Sequence, residues 1–406
     1  MNENIKTLEP PFFSFPLIKT SAYEALTQGD LPPAKLIALS ARTGYGKTVL
    51  MARLYQHYQR AGIACFWVGL DDRDTTADRV LRHLEALLVP ATNGIDLLQA
   101  INQGSERIDD RLAGIIDALS HVRNPLVIFI DNLNYCTDIE LRRVLDALVF
   151  RSPASLHLVV SDAGPVPIDI TRAKLEGRIR QIGFPDLSFN RSEVVQLLGP
   201  TIAAKLGDKG ISLLHEQTEG WPAALRLMQV LLSESDNPRL ELTQFSGANE
   251  DLAVLLNREV LQGFESRERQ FLLELSLLRT FGVNLCRHVT GEERSAEYIE
   301  HLIKSNLLII PLDRNRSWYR LHGLFREYLQ AEALQSIDAA RRQTLLMRAA
   351  EWCEHAGRWS DSIDYPIEAN ALTLASTVLD RVAAMFVRDQ GDLHQYIDWF
   401  ERLGAG

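Results

Sequence analysis

The eight residues Ala41-Arg42-Thr43-Gly44-Tyr45-Gly46-Lys47-Thr48 constrain this chain more than any other stretch. They follow an apolar run, 36–39, that reads as a strand, and they open an amphipathic run, 47–60, that reads as a helix. The pattern GxxxxGK(S/T) in that setting holds phosphate. Its glycines let successive backbone N–H groups turn inward around phosphate oxygens, its lysine reaches the terminal phosphates, and its hydroxyl residue ligates Mg2+. The helix adds its positive N-terminal end to the same anion site. Ala41 stands where the first glycine is usual, a small residue at the least constrained end of the loop. Thr43, Gly44, Tyr45, Gly46, Lys47, Thr48 and Val49 are therefore the candidate nucleotide-binding run, with Thr48 a candidate Mg2+ ligand.

A strand feeding such a loop needs partners, and the sequence supplies them. Residues 65–70, 126–130 and 156–160 read as further strands, alternating with helical runs at 78–88, 112–119 and 140–150. The run Leu126-Val127-Ile128-Phe129-Ile130 is continuously apolar, as a strand buried on both faces should be. Alternation of this kind implies a parallel sheet with helices on both faces. Asp131 ends the third strand, where a carboxylate holds the magnesium shell in phosphate-loop proteins. The next residue, Asn132, cannot accept a proton as a second carboxylate would.

Beyond residue 183 strand signals nearly vanish. Residues 192–198, 211–215 and 222–233 read as helices of a small all-helical unit, and the polar stretch 234–250 as a linker. Three helices follow, at 265–278, 284–290 and 295–305, then two short strands, 307–312 and 318–321, joined by the turn Asp313-Arg314-Asn315-Arg316. That is a winged-helix pattern. In the tail, Ala349, Ala350, Gly357, Ile363 and Asp364 recur 34 residues later as Ala383, Ala384, Gly391, Ile397 and Asp398. This is the period of tetratricopeptide helix pairs, which need about three units to bury their faces. Barely two fit before Gly406, so the solenoid reads as cut short.

The expected modules are a lead-in over 1–30, an α/β P-loop NTPase domain over 31–183, an all-α lid over 184–244, a winged helix over 245–335 and the start of a TPR-like α-solenoid over 336–406. Composition narrows the function. With 43 Lys and Arg against 53 Asp and Glu, the net charge of −10 excludes one broad polyanion-binding surface. The third helix of the winged helix carries Glu297 and Glu300 against Lys304, so it does not suit a DNA groove. No apolar run is long enough to span a membrane, and no signal peptide is evident. Cys65, Cys136, Cys286 and Cys353 are scattered without a CxxC pair and read as reduced packing residues of a cytoplasmic protein. Cys353 with His355, and Cys286 with His288, lack a second pair for zinc.

In order, the motifs are Gly-Tyr-Gly-Lys-Thr, Trp67-Val68-Gly69-Leu70-Asp71, the Asp131 strand, Leu158-Val159-Val160-Ser161, Thr218-Glu219-Gly220-Trp221-Pro222-Ala223-Ala224-Leu225 and Tyr319-Arg320-Leu321-His322-Gly323-Leu324-Phe325-Arg326. Together they resemble the signal-transduction ATPases with numerous domains (STAND). Within that class the chain is similar to the MalT-like group of large LuxR-type bacterial transcription activators. The resemblance implies an ADP- or ATP-dependent switch with Mg2+, held in an ADP-bound resting state. ATP exchange and an unidentified small-molecule or protein inducer would open it to homo-oligomerisation. It places Pro222 beside the adenine and His322 against the terminal phosphate. It also implies that DNA is read only by a helix-turn-helix domain that these residues do not include. This sequence departs from the group at Ser161-Asp162, where relatives carry Ser-Arg and the arginine senses the γ-phosphate. Asp162 is expected to turn away from the phosphates or to help hold a cation. The lead-in also departs, with Leu17-Ile18-Lys19-Thr20-Ser21-Ala22 where relatives are richer in arginine. Asn132 and Asp162 together imply weak ATPase activity or none. The alternatives are a turnover ATPase of AAA+ type and a scaffold with a permanently bound structural ADP.

Overall fold

The computed structural model describes residues 8–15, 17–29, 32–91, 107–235, 237–261, 264–304, 308–385 and 393–404. The chain divides into two units, Met1–Thr243 and Gln244–Gly406. In the first, a short helix α1 (Ser21–Thr27) precedes β1 (Leu36–Ser40), α2 (Lys47–Arg60), β2 (Ala64–Gly69), α3 (Ala77–Ala91) and α4 (Ile108–Ser120). Then come β3 (Leu126–Asp131), α5 (Glu140–Phe150), β4 (Leu156–Asp162), α6 (Ile170–Leu175) and β5 (Ile179–Gly183). The five strands form one parallel sheet in the order β2-β3-β4-β1-β5.

Side chains alternate across this sheet with the strand period of two, and each face has its own core. Leu36, Ala38, Ile128, Ile130, Leu158 and Val160 pack with Leu81, Leu84, Ile115, Leu145 and Leu148 of α3, α4 and α5. On the other face Trp67 stacks on Phe129 at 5.8 Å, and Tyr55 and Tyr58 of α2 meet the same aromatic pair. Every residue of β3 is buried, as its unbroken apolar run requires. Each such fully buried apolar side chain contributes about 1.5–3 kcal/mol. β5 was not foreseen. Arg180 and Gln181 expose its polar side and hide its strand character, yet it pairs along all of β1.

The rest of the first unit is helical: α7 (Phe184–Leu187), α8 (Arg191–Thr218) and α9 (Pro222–Glu234). α8 is a broken run. Gly199 and Gly207, at φ 73° and 66°, kink it, and Pro200 follows the first kink. Those glycines are why the sequence shows two separate short helices there. The expected linker 234–250 is a correction, because it contains a further helix, α10 (Pro238–Gln244), that buries Pro238 and Leu242.

In the second unit α11 (Glu250–Leu256), α12 (Ser266–Leu275), α13 (Val283–Thr290) and α14 (Ser295–Lys304) precede a two-stranded antiparallel wing, β6 (Ile309–Pro311) with β7 (Tyr319–Leu321). α15 (Gly323–Ser336) follows, then two helix pairs, α16 (Ala339–His355) with α17 (Trp359–Glu368) and α18 (Leu372–Met385) with α19 (Leu393–Gly404). The 34-residue period maps onto these pairs: Asp364 and Tyr365 lie on α17 where Asp398 and Trp399 lie on α19. Gly391, the partner of Gly357 in that repeat, lies outside the described residues. No disulfide forms; Cys136, Cys286 and Cys353 are buried thiols and Cys65 is half-buried.

Candidate nucleotide site

The phosphate loop sits at the carboxyl ends of parallel strands, where open α/β sheets bind ligands. β1 delivers Ala41, and α2 starts at Lys47. Between them Gly44 and Gly46 take φ of 86° and 77°, the left-handed region that glycine enters without a Cβ penalty. Gly44 is also a point of close approach. A Cβ there would lie 2.8 Å from both the Ala223 Cβ and the Trp221 Nε1. Its carbonyl accepts a 3.0 Å hydrogen bond from the Ala223 N–H. The first turn of α9, with Pro222 at its start, is thus fastened directly onto the loop.

Lys47 is 8% exposed, and its Nζ donates to the Ala41 carbonyl at 2.6 Å and to the Arg42 carbonyl at 3.2 Å. Burial lowers its pKa to about 8, against the opposing pull of Asp131 and Asp162. Arg42 carries a second cation, and burial lowers it to about 10. Its Nε and Nη2 are buried and have no hydrogen-bond partner among the described residues. A buried guanidinium without an acceptor is costly, and such a cation beside a phosphate loop fits an anion.

A cavity of about 530 Å3 opens from the loop. Thr43 to Val49 line one end, and Asn132, Pro222, Ala223 and Arg226 line part of its wall. The lead-in supplies the rest of the wall through Phe13, Phe15, Leu17 and Ile18. That segment is tied at two points. Arg53 of α2 donates to the Ile18 carbonyl and lies over the Tyr23 ring at 4.1 Å. Glu193, buried in α8, accepts from the Ser21 N–H at 2.6 Å and the Ser21 hydroxyl at 2.9 Å. An apolar slot with a cationic, backbone-lined end has the chemistry of a base and phosphates. A nucleotide fits these residues.

Asp131 is 2% exposed at the end of β3, where its Oδ1 accepts from the Asn132 N–H at 3.1 Å and from the Ser161 hydroxyl. Asn132 occupies the left-handed region at φ 63°, uncommon for a non-glycine residue. Asp162, buried at the end of β4, accepts the Gly164 N–H at 2.6 Å through its Oδ1, and burial raises its pKa to about 6 against the opposing pull of that hydrogen bond and of Lys47. Among the described residues no cluster of three His, Cys, Asp or Glu is arranged to hold a metal. A Mg2+ here would be of the kind held by one carboxylate and a hydroxyl together with ligand phosphates, for which Asp131 and Thr48 are the residues available.

The structure brings Thr43 to Val49 and Pro222 onto one cavity, with Asp131 in electrostatic reach of Lys47. His322 belongs to the second unit. It is 1% exposed, precedes α15, and its N–H donates to the Leu308 carbonyl at 2.8 Å. Sequence reasoning missed the lead-in aromatics, Arg53, Glu193 and the Gly44–Ala223 contact. The run Phe12-Phe13-Ser14-Phe15, apolar between prolines and without periodicity, was the available signal for the first of these.

A five-stranded parallel sheet whose first strand runs through GxxxxGK(S/T)-type sequence into a helix is the fold of a P-loop NTPase. In keeping with that, a Walker-type ATPase of Pyrococcus abyssi shares the fold with a TM-score of 0.54, at 14% identity over 77% of this chain and 95% of that one. A family profile described as Nephrocystin 3, N-terminal, matches residues 17–161, and one described as the MalT winged helix domain matches residues 257–341. The HTH-type transcriptional regulator MalT of Yersinia enterocolitica is 26% identical over 351 residues, 85% of this chain and 38% of that protein. Its counterpart in Yersinia pestis is 25% identical over the same shares. The chain is thus similar to the MalT regulators over 85% of its own length, and it spans 38% of the length of these curated relatives. No helix among the described residues is long and apolar enough to cross a membrane.

Proposed function

We propose that this chain is the nucleotide-controlled switch of a MalT-like transcription regulator. ADP occupies the cavity at rest, and exchange to ATP with inducer binding releases surfaces for homo-oligomerisation. The observation that carries this reading is the pair of desolvated cations at the loop: Lys47 folded onto loop carbonyls and Arg42 with two unpartnered nitrogens. In the proposal Gly44, Tyr45, Gly46 and the start of α2 cradle the phosphates through their backbone N–H groups, and Lys47 leaves its carbonyls for phosphate oxygens. Thr48 and Asp131 hold Mg2+, which neutralises phosphate charge when bound. Pro222 packs against the adenine, and His322 answers to the terminal phosphate, as the family resemblance implies. The lid, winged helix and repeat segment are bounded as the sequence places them, and DNA is read by a domain outside these residues.

Hydrolysis is slow or absent in this scheme, since Asn132 cannot accept a proton from an attacking water and Asp162 supplies the wrong charge for a phosphate sensor. A ligand shifts such a switch only through its different affinity for the two states. Steady-state phosphate release tests the reading. The expected result is Lys47-dependent nucleotide binding with less than about one turnover per minute; sustained release of many turnovers per minute would make the chain a turnover ATPase. A second reading is favoured by the fastened lead-in and the Gly44–Ala223 hydrogen bond: a scaffold with permanently bound ADP. Failure of added ATP to displace bound ADP would select it.

A further inference from the structure

Asp162 is a buried charge for which the switch mechanism has no use, and its position is tightly defined. Its backbone carbonyl accepts the N–H of Ala41, the first residue of the loop, at 3.3 Å. Its Cα pairs with Ser40 of β1. Its Oδ1 accepts the Gly164 N–H at 2.6 Å, and the residue is 6% exposed. The cation it acts on is Lys47. From the next strand Asp131 acts on the same lysine, whose Nζ is held on the Ala41 and Arg42 carbonyls. Near the loop two carboxylates, Asp131 and Asp162, therefore stand against Lys47 and Arg42, while Arg53 and Arg226 line the same cavity.

A carboxylate so close to the loop treats two nucleotides differently. Relative to a diphosphate, a triphosphate brings at least one further negative charge to the loop, near a carboxylate that solvent barely screens. At an effective dielectric constant of about 20, a like charge several ångströms away is enough for a discrimination of about tenfold or more.

We propose that Asp162 is a specificity residue that sets this site against a third phosphate, so that the chain holds a nucleoside diphosphate in preference to the triphosphate. The inference rests on the phosphate loop being the nucleotide site, as proposed above. Asn at this position keeps the acceptor for Gly164 and removes the charge, which makes it the informative substitution.

The test is calorimetric titration of the full chain with ADP and with ATP, with and without Mg2+, for wild type, Asp162→Asn, Asp162→Ser and Lys47→Ala. Wild type is expected to bind ADP about tenfold more tightly than ATP, and Asp162→Asn to bring the ratio within about threefold by strengthening ATP. Equal affinities in wild type overturn the inference without any variant. An unchanged ratio in whichever substituted protein melts like wild type also overturns it, as does weaker ATP binding by Asp162→Asn only when Mg2+ is present, which would make Asp162 a cation ligand. Binding of both nucleotides that survives Lys47→Ala is a different failure, that of the phosphate-loop reading itself.

Discussion

Each unit of this protein buries a cluster of charge, and the two clusters are built on opposite principles. In the second unit Asp364, 2% exposed, accepts from the Trp399 Nε1 at 3.1 Å, from Arg402 at 2.9 Å and from Arg279. Burial alone would lower Arg279, but its acidic partners Glu368 and Asp364 outweigh it and hold the guanidinium above its ordinary value. In the first unit burial prevails, and Lys47 and Arg42 are pushed down. One cluster is satisfied by the chain itself and joins α17, α19 and the connection between α12 and α13, which carries Arg279. In the other, Arg42 is left short of acceptors. A buried charge with a full set of partners is architecture; a buried cation without one is half of a binding site.

The sharpest way to break this comparison is to remove one charge from each cluster. Lys47→Ala is expected to weaken nucleotide binding by about 3 kcal/mol, while nucleotide-free protein melts no lower than wild type, because a desolvated lysine is gone. Calorimetry and a thermal melt read the two effects. Asp364→Ala should do the reverse, lowering the melting transition by the equivalent of about 2 kcal/mol, since three donors lose their acceptor and only the arginines reach water. An Asp364→Ala protein that melts like wild type would show that the cluster is not structural.

Those two clusters also differ in how far the sequence disclosed them. The phosphate loop is contiguous, so eight neighbouring residues announced both the sheet and the site, and Asp131 followed from an apolar run ending in an acid. The Asp364 cluster joins residues as far apart in the chain as Arg279 and Arg402, and only the 34-residue period hinted that Asp364 mattered. The cavity wall was hidden for a different reason. Phe13, Phe15 and Ile18 lie in extended chain with no periodicity, and nothing local shows that Arg53 and Glu193 hold that segment down. β5 escaped because an edge strand with Arg180 and Gln181 lacks the apolar run that marked its neighbours.

Smaller effects sharpen the picture. Gly44→Ala would strain a residue at φ 86° and press its Cβ on Ala223 and Trp221, at a cost of about 1.5 kcal/mol. A lower melt together with weakened nucleotide binding would show that loop and lid move as one piece. The smallest effect is a control from a lysine outside the site. Lys35 donates to the Ser152 hydroxyl at 2.8 Å and the Pro153 carbonyl, and burial, with Arg178 adding to it, lowers its pKa to about 8. The unfolded chain keeps that proton to higher pH, so between about pH 8 and 10.5 stability should rise with pH. Melting wild type and Lys35→Met across that range checks it: the slope should flatten in the variant.

The central claim is that the desolvated cations of the first unit, Lys47 and Arg42, await a nucleotide. Denaturing the purified chain and chromatographing the released small molecules, beside Lys47→Ala treated identically, tests it most directly. Adenosine diphosphate in near-equal amount to wild-type protein, and none from the variant, is the result this account predicts. No nucleotide in wild type, and no uptake of added ADP or ATP, would contradict it.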